Sequence, residues 1–134
     1  MIRCNNKSKK RIGGVQNMHL RNWVKWEYII AFFSICIVYI HWDFSIVLFL
    51  LLLLVPDISM IGYLLNTRMG AIIYNIGHHI GLASILLTIS IVFNLTIPIQ
   101  IAMIWLAHIF MDRAFGFGLK YANDFKETHI QKII

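Results

Sequence analysis

At 134 residues the chain has room for one domain, and 59% hydrophobic residues with a mean hydropathy of +0.72 are more than a soluble fold of this size hides. The net charge of +6 does not make a nucleic-acid surface, because the 12 Lys and Arg gather at the N-terminus, at Arg68 and after the last apolar run. Cys4 and Cys36 stand in different environments with no partner at metal-ligand spacing, which argues against a disulfide or a thiolate site.

Residues 1–21 read as a basic, disordered tail, too long and too far from any small-residue cleavage site to be a secretory signal. Met18, just ahead of HLRNWVKWE, is an alternative start. Residues 22–134 then predict an all-α integral membrane bundle of four transmembrane helices followed by a short cytoplasmic C-terminal segment. Helix one covers 24–40, with Trp23 and Trp26 as interface anchors; His41, Trp42 and Asp43 end it. Helix two starts at Phe44 and is broken at Pro56, which removes a backbone donor and clashes with the preceding turn, leaving Asp57 to cap a second half.

Asn66, Thr67 and Arg68 form a loop, 70–93 is helix three, Asn94 to Thr96 turn the chain, and 97–115 is helix four. Gly77 and Gly81 present a small-xxx-small surface for close helix approach. Beyond helix four, FGFG at 115–118 is a turn, and the capping-box shape of Asp124 to Glu127 predicts a short helix that would fold His129 back over the bundle mouth. Every Lys and Arg falls on one side, so the positive-inside rule puts both termini and the Arg68 loop in the cytoplasm, and the protein in the cell inner (plasma) membrane as a multi-pass chain. Lys120, Lys126 and Lys132 would rest on anionic lipid at that face.

Counted inward at about 1.5 Å per residue, Glu27, Asp57, His78, His108 and Asp112 all lie about 17–22 Å from the outer loops. Ionisable groups at that depth are costly against lipid, so they should turn inward and meet. His108 and Asp112 are four apart on one helix, and Asn75, His78 and His79 occupy neighbouring turns of another. Such a nitrogen and oxygen set suits a divalent metal such as zinc, manganese or iron. Three readings stay open on spacing alone: a metal or acid–base site, an ion or proton pathway, and a polar network that locks helix packing. For Trp23, Trp26, Tyr63, Tyr74 and Tyr121 interfacial anchoring is the leading reading.

The segments PDISMIGY (56–63), YNIGHH (74–79), WLAHIFMDRAFGFGLKY (105–121) and FKETH (125–129) resemble the bacterial membrane family known as domain of unknown function 4260. The resemblance runs from about His19 onward and departs from the usual GYGLKY at Phe117, where a hydroxyl is lost. It implies a compact multi-pass protein of no established activity, whose distinctive polar residues are here Asp57, Asn75, His78, His108, Asp112, Arg113, Thr128 and His129. A fainter similarity, in the Asp- and His-bearing helices and the Arg followed by Thr-His, links it to membrane-bound metal-dependent hydrolases.

The leading expectation is therefore a hydrolase-like site with His78, His108, Asp112 and His129 as metal ligands. Asp57 would be a further ligand or a general base, and Arg113 would hold an anionic head group. The rivals are a small transporter or channel component working as a homo-oligomer, with Glu27 as the proton-coupling group, and a structural or regulatory subunit of a membrane complex.

Overall fold

The computed structural model describes residues 6–121 and 124–128, with side chains over 20–119. Helix α1 runs Asn6–His41, taking in most of the basic segment expected as a tail. Asp43 ends the first span in the left-handed region at φ 60°, and Asn94 does the same after the third at φ 53°. Asp and Asn tolerate that conformation better than other side chains, which explains why the outer turns are so short.

Helix α2 spans Ile46–Leu52, capped by Ser45, whose hydroxyl accepts from the Leu48 N–H at 3.3 Å. It stops at Leu52, the residue four before Pro56 whose carbonyl the proline ring would meet in a continuous helix. The chain then continues as a 3-10 helix, Val55–Leu64, ten residues where such helices seldom exceed one turn. Asn66 caps α3 (Thr67–Gly77) by accepting from the Met69 N–H at 2.8 Å. Two further helices follow, α4 (Ile80–Val92) and α5 (Thr96–Ala114).

Three segments are long and apolar enough to cross a membrane: Leu20–His41, Ile46–Leu64 and Thr67–Val92. Their outer surfaces carry the ring of exposed apolar side chains that lipid contact requires, Phe33, Ile37, Leu51 and Ile85 among them. Helix α5 is not among these three and is the most enclosed of the described helices, with Ala102, Met103, Ile104, Leu106, Ala107, His108 and Ile109 all buried. It packs against both α1 and α4, so its polar residues face protein.

Two expectations are corrected. The single helix over 70–93 is broken at His78 and His79, where His78 leaves the helical region at φ −114°, ψ 20°. Gly77 and Gly81 flank the break and each weakens a continuous helix by about 1 kcal/mol relative to Ala. The segment after α5 is not a helix but an antiparallel hairpin, β1 (Lys120–Tyr121) with β2 (Asp124–Thr128), lying against α3. A capping box supplies only the first turn of a helix, and here strand pairing satisfies the backbone instead.

Glycine faces the 3-10 helix along α3. A Cβ at Gly77 would come within 3.0 Å of Ser59 Cβ, and one at Gly70 would overlap the Tyr63 ring. Of the small pair expected to seat a neighbouring helix, only Gly77 does so; Gly81 meets just the ring of His79.

Candidate metal centre

Each helix break places one side chain of the site. The 3-10 helix carries Asp57 in its first turn, the end of α3 carries His78, and one face of α5 carries His108 and Asp112 four residues apart. One ligand atom from each of these four lies within 4.8 Å of every other. His78 Nε2 is 3.0 Å from His108 Nε2, 3.7 Å from Asp57 Oδ1 and 3.4 Å from Asp112 Oδ2. His108 Nε2 is 3.6 Å from both carboxylate oxygens. A tetrahedron with metal bonds of 2.0–2.1 Å has edges of about 3.3–3.4 Å, in the middle of that range.

Proton positions argue for the same conclusion. The Tyr74 carbonyl, 3.0 Å from His78 Nδ1, can only accept, so Nδ1 carries the proton and a neutral His78 presents the Nε2 lone pair inward. Two carboxylates and that lone pair are acceptors, and only His108 can donate among the four. If both imidazoles were protonated, two N–H groups would face each other at 3.0 Å, and donors cannot pair. Among the described residues no Lys or Arg makes an ion pair with Asp57 or Asp112. Three acceptors and one imidazole nitrogen that accepts when its proton sits on Nδ1 make a donor set that fits a divalent cation.

The surroundings hold the ligands in place. Tyr74 is 3% exposed, stacks on the His78 ring at 3.8 Å between centroids and donates to Asp112 Oδ2 at 3.4 Å. It is therefore a supporting residue of the site and not an interfacial anchor. Trp105 Nε1 donates to the Gly77 carbonyl, one of those freed by the helix break. Among the described residues His108 Nδ1 makes no hydrogen bond of ordinary geometry, although the Leu53 backbone lies within polar reach of the ring. Asp57, with 43% of its side chain exposed, is the open side of an otherwise enclosed set.

Other expected residues lie elsewhere. Glu27 is exposed on α1 and takes no part in the cluster. Arg113 turns away, its Nη1 donating to the Tyr28 hydroxyl at 3.3 Å with the guanidinium 5.5 Å from the Tyr28 ring centroid. His79 is exposed beside the break. Tyr63 packs on Gly70 inside the bundle, whereas Trp23 and Trp26 remain exposed, as anchors would be. His129 and the side chains of Tyr121 and Thr128 fall outside the described residues.

A family model described as "Domain of unknown function (DUF4260)" matches residues 21–133. No curated protein and no solved structure matches the chain.

Proposed function

The chain belongs to the family of domain of unknown function 4260, and we propose that it is a membrane-embedded, metal-dependent hydrolase with Asp57, His78, His108 and Asp112 as its centre. The observation that carries this reading is the convergence of His78, His108 and Asp112 at separations of 3.0–3.6 Å, with Asp57 at the open side and no Lys or Arg ion pair among the described residues to neutralise the carboxylates. His78, His108 and Asp112 would hold the ion from the enclosed side. When bound, zinc or manganese would supply acidified water and polarisation of an ester there. Asp57, the most exposed of the four, takes the proton from the attacking water; the water oxygen joins the acyl or phosphoryl centre, the ester bond breaks, and the same proton passes to the leaving alcohol.

The proposal includes four membrane crossings in the inner (plasma) membrane with both termini in the cytoplasm. Support comes from the exposed Arg68 between the second and third spans and from the absence of Lys and Arg at Trp42–Asp43 and Asn94–Leu95. The centre then sits toward the cytoplasmic leaflet.

Elemental analysis of the purified full chain tests the proposal. One equivalent of a divalent ion is the expected result for wild type. Asp57→Asn should keep that ion at saturating metal, since three ligands remain. A wild-type chain that neither carries metal nor takes up added zinc or manganese has no such centre.

Tyr74→Phe tests the support around the ligands. It keeps the ring stacked on His78 but removes the hydroxyl from Asp112, and such outer partners contribute about 10–100-fold in metal affinity. A weakening in that range is expected in a competitive chelator titration, with the unfolding temperature of the metal-free chain little changed.

A further inference from the structure

A groove of about 560 Å³ lies beside the centre, within the range of about 300–1,000 Å³ usual for small-molecule sites. Its walls come from the same three elements: Leu52, Val55 and Pro56 at the break in the second span, Gly77 at the end of α3, and Ile101 and Trp105 on α5. Ile104, which also lines it, is four residues before His108 on the same face of α5, about 6 Å along the helix axis. The groove is almost wholly apolar, and its rim is continuous with the exposed apolar surface at Leu54, Val55, Ile58 and Ile101. It opens to lipid.

On the other side of the centre, toward the C-terminal end of α5, the described residues pack tightly. The crevice between Tyr74, Asp112, Phe117 and Gly118 has no room for a water molecule. The groove is thus an open approach beside the ligands on the apolar side of the centre. Direction agrees with this. From His108 the groove runs toward the N-terminal end of α5, which is toward the bilayer centre in the proposed orientation. A lipid of the cytoplasmic leaflet lies in that sense, head outward and tail inward.

From the groove we infer that the substrate is a membrane amphiphile that enters sideways from the bilayer, its hydrocarbon chain in the groove and a head-group oxygen at the ion. The inference rests on the metal reading above and names the substrate class for that centre. The break at Pro56 then has two consequences: it turns Asp57 inward, and it opens the wall through which the chain of the substrate enters.

The test uses the full chain with zinc in nanodiscs of phosphatidylcholine and phosphatidylglycerol. These are doped with a phospholipid bearing a diazirine near the end of one acyl chain, and labelled residues are mapped by mass spectrometry. Labelling at 52–58 and 101–105 should exceed that at Ile85 and Ile89, exposed on α4, by roughly tenfold, the ratio given by a preference of about 1.4 kcal/mol. Ile101→Trp fills the groove from a position that touches none of the four ligands, and it should abolish the excess while keeping the metal. Val55→Trp does the same from the opposite wall should the first variant fail to fold. Labelling spread evenly over the apolar surface, or an excess that survives both tryptophans, overturns the inference. An excess unchanged by chelation cuts the groove off from the centre and overturns it too. Metal content is read separately, so loss of the metal reading shows as a wild-type chain without an ion, whatever the labelling pattern.

Discussion

His108→Ala should leave the protein without its ion. His108 Nε2 is within 3.0–3.6 Å of the other three ligand atoms, so its removal opens one corner of the set and leaves two carboxylates facing each other across a cavity. Outer partners of metal ligands already contribute about 10–100-fold in affinity, and a direct ligand should exceed about 100-fold. The consequence extends to stability. An ion at a hundred times its dissociation constant stabilises the folded state by about 2.7 kcal/mol. A chelator should therefore lower the unfolding temperature of wild type by several degrees and leave that of His108→Ala where it already is. Equal responses to chelator in the two proteins would mean that His108 only packs. His78→Ala should behave alike, because it removes the Nε2 that lies 3.0–3.7 Å from the other three ligand atoms.

Depth was the legible part of the site. Ionisable residues inside apolar runs are costly against lipid, so counting from the loops grouped Asp57, His78, His108 and Asp112, and the structure brings these four together. Depth is one coordinate, however, and the direction around each helix is another. Glu27 lies at the expected depth but on the exposed side of α1. Arg113 follows Asp112 directly, and neighbours on a helix point about 100° apart, which sends it to Tyr28. Tyr74 went unrecognised because a tyrosine near the end of a span reads as an anchor. The signal that could have found it is its spacing: four residues before His78, it shares a helix face with a ligand.

The two helix breaks differ in the same way. Proline forbids a continuous helix by its own covalent structure, so the stop before Val55 was visible locally. Nothing at His78 forbids a helix. That break is held by a local bond between the His78 ring and the Tyr74 carbonyl and by a tertiary one from Trp105 to the Gly77 carbonyl, which comes from a helix nearly thirty residues further along the chain. Strand pairing at 120–128 is likewise set by the partner segment, which a capping-box pattern does not contain. Asp57 and His78 reach one another because both breaks occur at one level, so losing either should disperse the set.

Gly70 gives the second large effect, on folding. A Cβ there would overlap the Tyr63 ring and stand 2.8 Å from Tyr63 Cα, so the 3-10 helix has to move as a whole. Overpacking of a closed contact costs about 1–3 kcal/mol when side chains can yield, and more when backbone is in the way. Gly70→Ala should lower the unfolding temperature clearly, and Gly70→Val should leave little folded protein after detergent extraction. Gly81→Ala is the contrasting case. The only atoms a Cβ would meet belong to the imidazole of exposed His79, which can swing aside, and alanine favours the first turn of α4 by up to about 1 kcal/mol over glycine. Gly81→Ala should therefore be neutral or stabilising. If both substitutions gave the same response, α3 would not be packed on the 3-10 helix at Tyr63. Since that packing brings Asp57 over His78, Gly70→Ala should also weaken the ion in proportion to the stability it loses, while Gly81→Ala leaves the ion in place.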